Sequence, residues 1–297
     1  MTFIQFPEPP VQIYPDWPAM LANIQTTYAQ PAWTYSPGIW RQDPPVPHRD
    51  HMQPLTFVLI HGSWADASFW TPVAAELTRM GHTVYVPEYP GHGNDPNTNV
   101  SHSTMTKSIA DFINQHNLHD VILVGHSFGG SLVQTVSQLV TDRLKRLVFL
   151  NAFVIQDGGM LADEFPPAVV EQFQQLIKSS GNNTLMLPFP LFRETFTNLA
   201  TLSDAQRIYN GVKPEPARPF FEKLHLKKFF ALPIPKSYVH LLEDTAIPLG
   251  DPRYGWHPHM SSRLGLYRLI QLHGDHMSTT MLNGELVARK LYEAARD

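Results

Sequence analysis

From residue 55 onward, short continuous apolar runs alternate with longer stretches whose apolar positions recur every three or four residues. Runs of the first kind fall at 55–60, 83–86, 121–124, 146–150, 237–242 and 267–272. They show no polar alternation, the pattern of strands covered on both faces, and so predict a buried parallel sheet. Stretches of the second kind cover 68–80, closed by Gly81, then 104–115, 128–141 and 285–295. These predict amphipathic helices. Strand and helix in turn make an α/β fold, a mostly parallel sheet with helices on both faces.

One interval breaks the rhythm. Residues 152–235 separate two strand runs by 84 positions, far more than a simple crossover needs. They hold 10 of the 17 phenylalanines, so the interval reads as a compact inserted cap between core segments 55–151 and 236–297. Its rings either form only its own core or also line an apolar pocket over the sheet. Residues 1–54 are rich in proline and carry large aromatics such as Trp17, Trp33 and Trp40. Disordered tails are poor in aromatics, so this segment reads as an irregular arm lying against the domain.

Composition narrows the function classes. Apolar residues make up 43% and charged residues 16%, enough for a sizeable core. A net charge of −4 gives no pull toward nucleic acid or an anionic membrane. The chain has no cysteine, which removes disulfides, thiolate metal sites and a cysteine nucleophile. No apolar run approaches the roughly 18 residues of a membrane-spanning helix. The stretch Met1 to Pro10 lacks the basic start and apolar run of a secretory signal, so a cytoplasmic location is expected.

Within this frame, Gly125-His126-Ser127-Phe128-Gly129-Gly130 joins the strand run 121–124 to the helix 128–141. G-x-S-x-G alone arises by chance in roughly one chain in ten of this length. A strand before it and a helix after it make it specific. The serine of such an elbow is strained and strand and helix nearly touch, so small residues must flank it. The turn projects the Ser127 hydroxyl at the carboxyl edge of the sheet. The helix that follows directs its N–H groups and positive dipole end at any oxyanion formed there. Ser127 is therefore the candidate nucleophile.

His61-Gly62-Ser63-Trp64 directly follows the first strand run, and its glycine lets an amide face the nucleophile. The Ser63 and Phe128 N–H groups are the candidate oxyanion-hole donors. This fold orders its triad serine, acid, histidine, so the base is sought late among the 15 histidines. His276, in Gly274-Asp275-His276 after the last strand run, is the candidate, whereas His273 ends that run and is expected to be packed. The acid follows the preceding run, with Asp244 preferred and Glu243 as the alternative. Asp275 is too near in sequence to reach the imidazole. His257-x-His259 and His116-x-x-His119 have metal-pair spacing, but no carboxylate set completes either, and neither metal nor cofactor is expected. Pro90-Gly91-His92-Gly93 reads as a structural turn.

These stretches resemble the α/β-hydrolase superfamily. More narrowly, the chain resembles its branch of plant methyl esterases, hydroxynitrile lyases and bacterial pyrethroid hydrolases. The matching residues are His61-Gly62-Ser63-Trp64 with Trp70 beyond, Gly125 to Gly130, Glu243-Asp244-Thr245-Ala246-Ile247-Pro248 and Gly274-Asp275-His276, together spanning 55–297. The Glu-Asp-x-Ala-Ile-Pro stretch points to the branch. The arm has no counterpart there. The lyases also carry a threonine in place of Gly62 and a lysine in place of Met277, which weighs against cyanohydrin chemistry. The resemblance implies hydrolysis of a small-molecule carboxylic ester through an acyl-enzyme on Ser127, without a cofactor. A C–C or amide hydrolase, a hydroxynitrile lyase, a cofactor-free dioxygenase and a non-catalytic ligand receptor are the alternatives on the same fold. The natural substrate stays open, as does a homo-oligomeric state.

Overall fold

The computed structural model describes residues 53–247 and 251–296, so all but the last two residues of the expected arm lie outside the described residues. The strands are β1 (Thr56–Ile60), β2 (Thr83–Tyr85), β3 (Val121–Ser127), β4 (Leu144–Ala152), β5 (Thr184–Leu185), β6 (Glu215–Pro216), β7 (Lys236–Leu241) and β8 (Arg268–Leu272). Six of them form one sheet in the order β2-β1-β3-β4-β7-β8, every neighbouring pair parallel. The central strands explain the unbroken apolar runs, since Phe57 to Ile60 and Val121 to Val124 are all fully buried. At the edge, β8 exposes alternate residues.

The strand next to the candidate nucleophile runs past its expected end. Hydropathy stops at Val124, but the backbone goes on pairing through Gly125, His126 and Ser127, with Ser127 opposite Ala152 of β4. β4 likewise extends beyond 146–150 on both sides.

The helices are α1 (Thr71–Arg79), α2 (His102–Gln115), α3 (Gly129–Ser137), α4 (Pro167–Ser180), α5 (Phe189–Phe196), α6 (Leu202–Gly211), α7 (Lys227–Phe230), α8 (Ser278–Leu282) and α9 (Gly284–Ala295). The expected helix 68–80 is divided. Asp66 accepts the Ser68 N–H at 2.9 Å to start a 3-10 turn over Ala67–Trp70, and Pro72 then opens α1. Gly81 ends it at φ +95°. α1 packs with α9, which lies along β4, β7 and β8, while α2 packs with α3, which lies along β1, β3 and β4. Between β4 and β7 the chain forms α4 to α7 and the small antiparallel pair β5–β6. Among the described residues no helix is long and apolar enough to cross a membrane.

Candidate active site

Ser127 ends β3 at φ +54°, a backbone conformation a residue with a Cβ adopts only where its surroundings impose it. The surroundings are the two elements it joins. A Cβ on Gly125 would stand 2.5 Å from the Gly129 carbonyl oxygen, so strand and helix meet with no room for a side chain. The neighbouring loop approaches as closely. A Cβ on Gly62 would lie 2.7 Å from the Ser127 Cβ and 3.0 Å from His126 Nδ1, and a threonine there would clash.

His276 stands beside Ser127 on the wall of one cavity. No direct hydrogen bond joins their side chains; such contacts tighten only when a substrate is bound. The His276 Nδ1–H donates to Asp244 Oδ2 at 2.5 Å, and both residues are buried. Asp244 is fixed in turn, accepting the Ala246 N–H at 2.8 Å and the Asn151 amide at 2.6 Å. Asn151 also accepts the Leu241 N–H at 2.9 Å, tying the end of β4 to the end of β7. Sequence reasoning passed over Asn151; the available signal was a lone polar residue closing an apolar strand run.

The base candidate is enclosed by rings. Trp256 stacks on His276 at 5.3 Å and 14°, Phe196 meets it edge-on at 5.1 Å, and His126 lies 4.5 Å away. His126 Nε2–H donates to the His276 carbonyl at 2.8 Å. Burial, and then repulsion from a protonated His276, hold the His126 pKa well below the ordinary histidine value.

The other two carboxylates serve elsewhere. Glu243 accepts from His273 at 2.5 Å and from the Gly274 N–H at 2.6 Å, and the hydrogen bond from His273 keeps its pKa low. The His273 side chain is 83% exposed, not packed as expected, because the alternation of β8 turns Leu272 inward and His273 outward. Asp275 accepts the Thr279 N–H at 3.0 Å and the Ser278 hydroxyl at 2.6 Å, both in the first turn of α8.

The cavity has a volume of about 130 Å³ and is lined by Ser63, Ser127 and His276 together with Trp64, Trp256 and the rings of Phe153, Phe165, Phe173, Phe196 and Phe220. The phenylalanine-rich interval therefore does more than form its own core: these five rings line the cavity, while others, such as Phe192 and Phe229, are wholly core. No lysine, arginine or carboxylate is among the described residues that line it. The histidine pairs with metal spacing are engaged otherwise: His116 with the Phe112 carbonyl, His257 with Ser261 and His259 with Glu164. Among the described residues no group of three or more potential metal ligands occurs.

Buried histidines set the acid limit of the fold. His102, bonded to Ser131 Oγ at 2.8 Å, has its pKa lowered by burial from 6.5 to about 3. Above the unfolded value its contribution is complete. As pH falls, the unfolded chain takes up a proton that the folded chain refuses, and that stability is progressively lost. Between the unfolded value and pH 5 the loss from one such group is about 2 kcal/mol, and His126 adds to it. Urea midpoints should therefore fall steadily between pH 7 and pH 5, and a flat profile would contradict this assignment.

A strained serine on a strand–helix elbow, beside a histidine tied to a buried aspartate, defines an α/β hydrolase. Residues 57–289 match the alpha/beta hydrolase family, and the chain belongs to it. It is 57% identical to a solved extracellular alpha/beta-hydrolase from a Paenibacillus species, with a TM-score of 0.81 over 82% of this chain and 100% of that one. That protein is described as sharing structural and functional homology with tobacco salicylic acid binding protein 2. The carbendazim hydrolyzing esterase of Nocardioides sp. is 36% identical over 39% of this chain and 51% of its own length. The putative methylesterase 11, chloroplastic, of Arabidopsis thaliana is 28% identical over 67% of this chain and 55% of its own length. The chain thus spans about half the length of these two curated relatives.

Proposed function

We propose that the protein is a serine esterase acting on uncharged carboxylic esters with apolar or aromatic groups. The carrying observation is that Ser127 at φ +54° and His276, bonded to buried Asp244 at 2.5 Å, share one apolar cavity. Ser127 Oγ attacks the carbonyl carbon as His276 takes its proton, and the Ser63 and Phe128 N–H groups hold the oxyanion. Asp244 keeps the imidazole in the Nε2-accepting tautomer and stabilises the imidazolium. The imidazolium gives its proton to the departing alkoxide oxygen, releasing the alcohol and leaving an acyl-enzyme. Water, deprotonated by the same histidine, attacks that acyl group. The acid leaves and Ser127 recovers its proton.

The names of the relatives, an esterase and a methylesterase, support this class. The lyase alternative is disfavoured by the contact at Gly62, which leaves no space for a hydroxyl-bearing side chain, and by uncharged Met277 after the base. Residues 152–235 act as the cap that sets substrate size. The partner is a small-molecule ester. For location, the cytoplasmic reading stands against a 57% identical relative described as extracellular, and cell fractionation decides between them.

A panel of chromogenic esters tests the reading. Hydrolysis should proceed equally well without oxygen, and each added methylene should improve kcat/KM up to about fourfold, or ~0.8 kcal/mol, until the cavity is filled. Failure to hydrolyse any ester, or oxygen-dependent consumption, would contradict it.

A further inference from the structure

Trp64 adjoins the Ser63 amide and holds φ +62°, a conformation a bulky residue does not keep unaided. Residues from the segment between β4 and β7 hold it there. Its N–H donates to Glu215 Oε2 at 2.8 Å and its indole N–H to the Leu185 carbonyl at 2.8 Å. Its own carbonyl accepts the Lys213 N–H at 3.0 Å. Leu185 and Glu215 are directly paired across β5–β6, so this two-stranded sheet grips a single residue of the loop. The core grips the same loop from its other side. Glu88 accepts from His61 at 2.6 Å and from the Ala67 N–H at 2.9 Å.

Glu215 is an unusual choice for a residue with no exposed surface. Its Oε1 has no partner among the described residues, while Oε2 also accepts from His92 Nε2 at 3.0 Å. Burial disfavours a charge on His92, but the facing Glu215 carboxylate and its hydrogen bond outweigh that and raise the His92 pKa above its ordinary value. Apolar residues of similar volume generally stabilise such a place at least as well as a buried ion pair. What the pair adds is direction: an anionic acceptor that fixes where the Trp64 N–H, and with it the preceding peptide, must lie.

We propose that Glu215, with His92 as its counter-ion, is a positioning residue that sets the Ser63 amide in the oxyanion hole from the cap side. The proposal rests on the esterase reading above. It makes the hole complete only while the β5–β6 sheet is seated on the loop, and Leu187 and Phe220, just beyond the two strands, line the substrate cavity. Substrate contact with the cap and geometry of the hole are thereby one event.

The test is Glu215→Gln in the full chain, a change that keeps the volume but removes the charge, so that His92 loses its counter-ion and the Trp64 N–H its anionic acceptor. Complete loss of one oxyanion donor lowers kcat by about 10²–10³, so a misplaced donor should lower it by about 10- to 100-fold, with KM within about twofold of wild type. Amide exchange in the 62–66 stretch should quicken by about tenfold or more. His92→Gln, which retains a donor to Glu215, should move both readouts the same way by less, and it serves alone if the first variant does not fold. Unchanged exchange, kcat retained within about twofold, or a loss confined to KM would overturn the proposal. A wild-type protein that turned over no ester would instead overturn the esterase reading, and the exchange measurement would still decide whether Glu215 holds the loop.

Discussion

Replacing Ser127 by alanine is expected to lower kcat by about three to six orders of magnitude, the range seen when a member of such a triad is removed. The residual activity would come from the Ser63 and Phe128 amides and from binding in the cavity, neither of which the substitution touches. Folding should be unaffected. Alanine carries the same Cβ at the same φ +54°, and the Gly62, Gly125 and Gly129 contacts that impose the elbow are unchanged. Turnover and thermal unfolding measured on the same sample check both halves. Retention of more than about a tenth of wild-type kcat, in a folded variant, would remove Ser127 from the role of nucleophile.

Asp244→Asn is expected to lower kcat by about 10⁴, because an amide that donates toward Nδ1 favours the wrong imidazole tautomer. The change is nearly isosteric: with the amide turned toward Nδ1 the Ala246 N–H keeps its acceptor at Oδ1, while the Asn151 amide loses its acceptor at Oδ2, so the variant should fold with some loss of thermal stability. Glu243→Gln should change kcat by no more than about twofold. Its carboxylate lies on exposed His273 and the Gly274 N–H, away from His276. Steady-state kinetics of the two variants decide the matter by their ranking. A larger loss in Glu243→Gln would transfer the role one residue back along the chain.

Much of this arrangement was legible in the sequence because it is local. The apolar run before Gly125 and the amphipathic run after Phe128 define the elbow without reference to anything distant. The loop after β8 is similarly punctuated by Gly274, and Asp275 could be set aside on chain geometry alone. Boundaries failed where pairing continued beyond hydrophobicity, as at Gly125 to Ser127 in β3. The sequence favoured Asp244 and kept Glu243 as the alternative, since neighbours in a turn differ only in which way the backbone aims them. His273 was misjudged because a single position at a strand end carries no register information.

Residues joined only by long-range contact gave no warning. Asn151 reaches Asp244 across 93 positions, and Glu215 reaches Trp64 across 151. Neither sits in a recognisable spacing, and each reads in sequence as an ordinary polar residue. Trp256 falls in an irregular stretch, and nothing in that stretch tells that its ring stacks on His276. The phenylalanine-rich interval signalled an apolar cavity by composition, but which rings face it depends on the packing of α4, α5 and the β5–β6 pair.

If the protein is a serine esterase, Ser127 carries the covalent intermediate. Incubation with a fluorophosphonate, followed by peptide mass spectrometry, tests it most directly. One phosphonyl group per chain is expected, on Ser127, appearing in step with the loss of ester hydrolysis, with no label in Ser127→Ala. A label on another residue, or full esterase activity in an unlabelled protein, would contradict it.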